Sequence, residues 1–230
     1  MPESGGNVEI REYKKVIEYV KDEIRQGRIR LEDKLPAERI MAETLDMSRN
    51  SVREALRTME NMGILESRQG SGNYLTGNLN KMFAESIGMM LLLKQITYDE
   101  VNSLRRAIER ESYLQAITNI SQNQIEQLVK ILETMKRSEI DEMVQKDKEF
   151  HYLIISASGN NLVINIMEAL EEIYTESVEH MLKTTTDEIR GKLILSHEKM
   201  LECIVKKDEA KGRQAVDQHY DIIESWYKKM

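Results

Sequence analysis

Apolar residues recur at helical spacing over most of this chain. Val16, Ile17, Val20 and Ile24 share one face of a helix, and Gly27 closes it. Pro36 opens a short helix that runs through Leu45. Ser48 is placed to cap a third helix, with Val52, Ala55, Leu56 and Met59 as its apolar face and Gly63 as its stop. The pattern then shortens. Ile64-Leu65-Glu66-Ser67 and Asn73-Tyr74-Leu75-Thr76 flank Gly70-Ser71-Gly72 and predict two strands around a turn. Gly77-Asn78-Leu79-Asn80 carries turn chemistry and reads as a linker, which divides the chain into residues 1–77 and 78–230.

Beyond the linker the pattern is helical throughout. Residues 81–94 predict a connecting helix, and six longer ones follow near 97–118, 122–137, 139–157, 161–183, 187–206 and 208–228. Thr97 with Glu100 and Ser121 with Gln124 have capping-box spacing, in which each side chain satisfies a free backbone donor of the other's turn. Gly159-Asn160-Asn161 and Thr184-Thr185-Thr186-Asp187 break the pattern between helices. The expected architecture is mainly α: a winged helix-turn-helix with a small hairpin, then an all-helical bundle.

Composition supports this and narrows the setting. The only prolines are Pro2 and Pro36, so almost nothing after residue 36 is barred from helix. The longest apolar run, Met89 to Leu93, is far short of the ~18 residues that would span a membrane. Met1 to Glu12 lacks the apolar core of a signal peptide, and the single Cys203 has no partner for an internal disulfide. A cytoplasmic protein with no membrane partner is expected. Net charge is −7 over 230 residues. Residues 1–77 hold 13 Lys+Arg and 14 Asp+Glu, and residues 78–230 hold 20 and 26, so the acidity lies mostly in the second part. Any contact with nucleic acid must therefore come from a local cluster of basic residues.

Such a cluster stands at the start of the third helix. Two helices joined by a tight turn and followed by a hairpin describe a winged helix-turn-helix, whose second helix offers its first turn to base edges. Here that turn exposes Arg49, Asn50 and Arg53, with Ser48 and Ser51 suited to phosphate oxygens. On spacing alone the same residues read equally as a solvated surface face. The strings Leu35-Pro36-Ala37-Glu38-Arg39, Met47-Ser48-Arg49-Asn50-Ser51-Val52-Arg53-Glu54-Ala55-Leu56, Gly63-Ile64-Leu65 and Gly70-Ser71-Gly72 together resemble the GntR family of bacterial regulators. The resemblance implies that Arg39, Ser48, Arg49, Asn50, Ser51, Arg53, Gln69 and Gly70 touch double-stranded operator DNA. Asn50 stands where a threonine or small residue is more usual.

The second part carries a different chemistry. Asp147 and His151 are four residues apart and share a helix face with Met143, Phe150 and Ile154. His197 lies in the stripe Leu193, Met200, Leu201, Ile204, and His219 in Ala215, Val216, Ile222, Trp226. Four polar groups thus fall on the apolar faces of three helices. Each histidine alone reads as a hydrogen-bonded core residue, and a shared divalent cation would satisfy all four together. Asp147-Lys148-Glu149-Phe150-His151, Ser158-Gly159-Asn160, His197 and His219 resemble the FCD effector domain of the FadR-type branch of GntR regulators. That resemblance implies a metal held by Asp147, His151, His197 and His219. His180 matches no ligand position, and Cys203 reads as a core residue near the site. Nitrogen and oxygen donors suit zinc, nickel or manganese.

Arg105 lies in Arg105-Arg106-Ala107-Ile108-Glu109, which resembles the domain's first helix. It reads either as facing a cavity, where it would pair with an anionic effector, or as pairing with Glu109 along the helix. Ser112 and Tyr113 replace more typical small alanines and are expected to make the pocket narrower or more polar. The expected function is that of a homodimeric transcriptional regulator controlled by a small organic acid, not an enzyme. A direct metal sensor and a helical metalloenzyme are the alternatives. The second would leave the winged helix without a role.

Overall fold

The computed structural model describes residues 5–78 and 80–227. Leu79 of the expected linker and Lys228, the expected end of the last helix, lie outside the described residues. The chain forms two compact units, Met1–Met82 and Phe83–Met230.

The first unit contains α1 (Gly5–Arg25), α2 (Glu38–Leu45), α3 (Arg49–Asn61), β1 (Leu65–Arg68) and β2 (Gly72–Leu75). Val16, Val20, Met41, Val52, Leu56, Met59, Leu65 and Leu75 form its core. The apolar stripes read from the sequence therefore meet, although Ile24 at the end of the first stripe is exposed. Asp46 takes a left-handed φ of 51° after α2, a conformation that short polar side chains tolerate. Two residues later the Ser48 side chain accepts from the Ser51 backbone N–H at 3.0 Å and starts α3. β1 and β2 pair antiparallel in the register Leu65↔Leu75 to Arg68↔Gly72. Each strand sits one residue nearer the turn than the hydrophobic pattern indicates, because the pairing continues through Arg68 and Gly72. Gly70, at φ +71°, occupies the turn between them. The Glu60 carboxylate accepts from the Ser67 N–H at 3.0 Å and ties the hairpin to α3.

The second unit is all helical. α4 spans Asn80–Leu92, and α5 (Tyr98–Asn119), α6 (Gln122–Met135), α7 (Ile140–Ala157), α8 (Asn161–Thr184), α9 (Asp187–Lys206) and α10 (Glu209–Tyr227) follow. Both expected capping boxes are formed, at Thr97/Glu100 and at Ser121/Gln124. α10 packs on α5 and α9, while α7 packs on α5, α6 and α8. The main core gathers Tyr113, Leu128, Phe150, Ile154, Met200, Val216 and Tyr220. Tyr113 and Ser112 do not narrow a cavity. The Tyr113 hydroxyl donates to the Met200 carbonyl inside the core, and Ser112 donates to the Ile108 carbonyl of its own helix at 2.9 Å. Room for the Tyr113 ring comes from Gly212 on α10, where an added Cβ would lie 2.5 Å from the ring. A smaller cluster, Val101, Ile155, Met167 and Leu170, is joined by Ile87 and Leu91 of α4. The rest of α4 and the residue after it leave Phe83, Met89, Met90, Leu92 and Leu93 exposed.

Candidate metal centre and nucleic-acid interface

Three helices deliver the histidines. His151 comes from α7, His197 from α9 and His219 from α10, and all three are buried. One ring nitrogen from each falls within a group whose members all lie within 4.8 Å of one another. His151 Nε2 and His197 Nε2 are 3.1 Å apart. Two nitrogens each roughly 2.0–2.1 Å from one ion would stand about 2.9–3.4 Å apart for angles between a right angle and tetrahedral, so this spacing fits shared coordination. Asp147 Oδ1 lies 3.2 Å from His197 Nε2 and 3.8 Å from His151 Nε2, on the more open side of the cluster.

Hydrogen bonds on the far side of two of the rings decide which of their nitrogens faces inward. The Ser196 hydroxyl donates to the Leu193 carbonyl at 2.6 Å, which uses its one proton. Its oxygen therefore accepts from His219 Nδ1–H at 2.9 Å, and neutral His219 turns a bare Nε2 toward the cluster. His151 Nδ1 bonds Glu109 Oε1, while the Tyr220 hydroxyl donates to Glu109 Oε2 at 2.6 Å. Again Nε2 is left facing inward. The Nδ1 of His197 is buried without a partner among the described residues. Three ring nitrogens converge beside a carboxylate, and the residues present fit a divalent metal ion.

The electrostatics differ from ring to ring. Burial pushes the His219 imidazole well below its ordinary value, and its histidine neighbours push it further, which keeps it neutral. Burial alone would raise the Asp147 carboxyl, but the hydrogen bond from His197 and the nearby imidazoles overcome this and hold it below the usual range. Glu109 is likewise held below its ordinary value, because His151 and Tyr220 outweigh its burial. His151 is held above the ordinary imidazole value, since Glu109 and Asp147 outweigh its own burial.

Beside the cluster lies a narrow cleft with about 20 Å³ of free space, lined among others by Arg105, Asp147, His151, Glu171 and Tyr174. Arg105 is 6% exposed, and its Nε and Nη1 have no hydrogen-bond partner among the described residues. Its guanidinium lies 3.6 Å from the centre of the Tyr174 ring, whose hydroxyl donates to buried Asn102 at 3.2 Å. Arg105 thus faces the cleft and does not pair with Glu109. His180 is exposed on α8 and packs edge-on to Trp226, away from the three converging rings. Glu109, Tyr220, Ser196 and Tyr174 were not among the residues singled out for roles at this site. One signal was available: Asn102, Arg105 and Glu109 place three polar side chains on the otherwise apolar inner face of α5.

In the first unit, Arg49 and Asn50 are exposed at the start of α3, and no acidic residue occupies that first turn. Arg53 is exposed but bonded to the Glu38 carboxylate through Nε at 3.1 Å and Nη2 at 2.9 Å. Arg39 pairs with Glu43 at 2.8 Å. The Ser48 and Ser51 hydroxyls lie 2.9 Å apart. Gln69 and Gly70 are exposed at the hairpin tip.

Residues 12–75 match the bacterial regulatory proteins of the gntR family, and residues 100–222 match the FCD domain. The chain belongs to the GntR family. It is a DNA-binding transcriptional regulator of the FadR type, with an N-terminal winged helix and a helical FCD domain. Relatives include the HTH-type transcriptional regulator LutR of Bacillus subtilis, 25% identical over 87% of this chain and 94% of LutR. The Exu regulon transcriptional regulator of Escherichia coli is 26% identical over 91% of this chain and 81% of its own. Among solved structures, the Streptococcus agalactiae GntR protein shares the fold at a TM-score of 0.70, with 20% identity over 92% of this chain and 98% of that one. These relatives are regulators, and the GntR chain described here is not an enzyme. None of its described helices is long and apolar enough to cross a membrane.

Proposed function

We propose that this GntR regulator binds its operator as a homodimer in the cytoplasm and is controlled by a small organic acid bound beside a divalent metal ion. Asp147, His151, His197 and His219 are the ligands, and zinc, nickel or manganese suits their donors. A bound ion would offer open coordination positions to an effector carboxylate. Arg105 supplies the second grip: its fork, stacked on Tyr174, presents unused N–H groups to the same carboxylate. The carrying observation is that Arg105 is buried beside the histidine cluster with Nε and Nη1 lacking a hydrogen-bond partner among the described residues. That arrangement favours an anionic effector over a sensor of metal alone, which has no use for the guanidinium.

At the other end, Arg49, Asn50 and Arg53 enter the major groove, Arg39, Ser48 and Ser51 hold phosphates, and the Gln69-Gly70 tip reaches the adjacent minor groove. The exposed apolar residues around Leu92 and Leu93 are one candidate part of the dimer contact. Effector control requires that the acid bind the operator-competent and operator-incompetent states with different affinity.

The test is elemental analysis of the protein exchanged into zinc, nickel or manganese, followed by thermal melting with a panel of small mono- and dicarboxylates. One ion per chain and an acid-dependent rise in melting temperature, both lost in His219→Ala, are expected. Absence of a stoichiometric ion would remove the metal reading. An ion without any acid response would favour the direct metal sensor.

A further inference from the structure

We infer that Glu109, which is no ligand itself, is the positioning residue that sets the metal affinity of this centre, with Tyr220 holding it in place. The inference rests on the metal reading above. α5 contributes no ligand, yet Glu109 from α5 reaches the ring of His151 on α7 and the hydroxyl of Tyr220 on α10. It is fully buried, at 0% exposure. Both carboxylate oxygens are engaged by side chains from other helices.

A cross-link between three helices does not by itself call for a charge. A buried carboxylate is costly unless positive charge faces it, and a neutral amide would join the same helices at less expense. The charge is accounted for by the centre together with Arg105. A divalent ion with the Asp147 carboxylate leaves one positive charge in a buried site, Arg105 adds another, and Glu109 offsets part of the two, reaching the ion through the His151 ring. The three ligand rings are not treated alike. His219 Nδ1 meets only a neutral hydroxyl, and His197 Nδ1 has no partner among the described residues. Only His151 is backed by a carboxylate. That contact fixes Nδ1 as the protonated nitrogen, aims Nε2 inward and makes it a stronger donor. Arg105 sits one turn from Glu109 on the same face of α5, so ion and effector would both pull on one helix.

The experiment uses the full chain with zinc and cobalt as probes. Zinc affinity is measured by competition with a chelator, and the cobalt complex by its visible absorption, for wild type, Glu109→Gln, Tyr220→Phe and Ser196→Ala. Glu109→Gln should weaken zinc binding about 10–100-fold and move the cobalt absorption. Tyr220→Phe should do both to a smaller extent, and Ser196→Ala should weaken zinc less than Glu109→Gln. Should Glu109→Gln not fold, Tyr220→Phe, which removes one hydroxyl, carries the test. Unchanged zinc affinity and cobalt spectrum in these variants, with only a lower metal-free melting temperature, would make Glu109 a plain cross-link and overturn the inference. Wild type that binds neither ion would instead sink the metal reading beneath it.

Discussion

Arg105→Met should lower the stability of the metal-free, acid-free protein and abolish its response to acids. The native side chain is 6% exposed and leaves Nε and Nη1 without partners among the described residues. Burial disfavours its charge, but Tyr220, Tyr174, Glu109 and Asp147 outweigh this and hold its pKa above the ordinary value. The variant loses the stack on Tyr174, worth about 2 kcal/mol at a desolvated site. It also leaves the buried Glu109 and Asp147 without that charge. Relief of the unpartnered N–H groups returns roughly 1 kcal/mol. A net loss on the order of 1 kcal/mol remains, or about 2–4 °C for a protein of this size. Thermal melting followed by circular dichroism, with and without carboxylates, reads both effects. A rise in melting temperature of similar size would refute the reasoning, because it would mean that the guanidinium is not satisfied within the fold. A preserved acid response would remove Arg105 from the effector site.

Four further outcomes are expected. Arg49→Ala and Arg53→Ala should each weaken specific operator binding by roughly 1–3 kcal/mol with the helical content intact, measured by titration of labelled operator at fixed salt. Leu92→Lys should shift the protein from dimer to monomer by light scattering, since Leu92 is 75% exposed and its charge would be buried by any partner. The stabilisation by zinc should shrink as pH falls from about 8 to about 6, because protonated imidazole cannot ligate. His151, held above the ordinary imidazole value by Glu109, is the ring at which protons compete first. In the metal-free protein the two rings oppose each other: the unfolded chain protonates the His219 imidazole near the ordinary value and the folded one does not, so the contribution of His219 falls as pH drops below about 6.5 while that of His151 grows.

The helices were legible because each is specified by its own neighbourhood. Ser48, Thr97 and Ser121 cap within three residues of themselves, so spacing along the chain carries the geometry. The inward placement of His151, His197 and His219 was legible for a related reason: each lies on an apolar stripe that had to turn toward a core. Partnership across helices was not legible. Glu109 and Tyr220 are 111 residues apart, and nothing local to either reports the hydrogen bond between them. Tyr113 misled for the same reason. Its size suggested a narrower pocket, whereas Gly212, almost a hundred positions on, makes the space that takes its ring into the core.

The arginines of the first unit raise a question of affinity that bears on assembly. Of Arg39, Arg49 and Arg53, the three proposed to meet DNA, two are already paired, Arg39 with Glu43 and Arg53 with Glu38, and both pairs are exposed. An exposed pair is worth about 0–1 kcal/mol, so exchanging a carboxylate for a phosphate or a base costs little. The exchange also gains little by itself, because the freed Glu38 and Glu43 remain near DNA and oppose its charge. Arg49, with no ion pair among the described residues, makes its contact without that penalty. With residues 1–77 at a net −1, one winged helix has little general attraction for a duplex. Two linked copies convert the second contact into an intramolecular one, and the gain from linkage needs no added basic residues. On the proposed pairing, an acidic regulator of this kind draws more of its operator affinity from dimerisation than a basic one would. It follows that Leu92→Lys should weaken operator binding although Leu92 lies outside the reading helix.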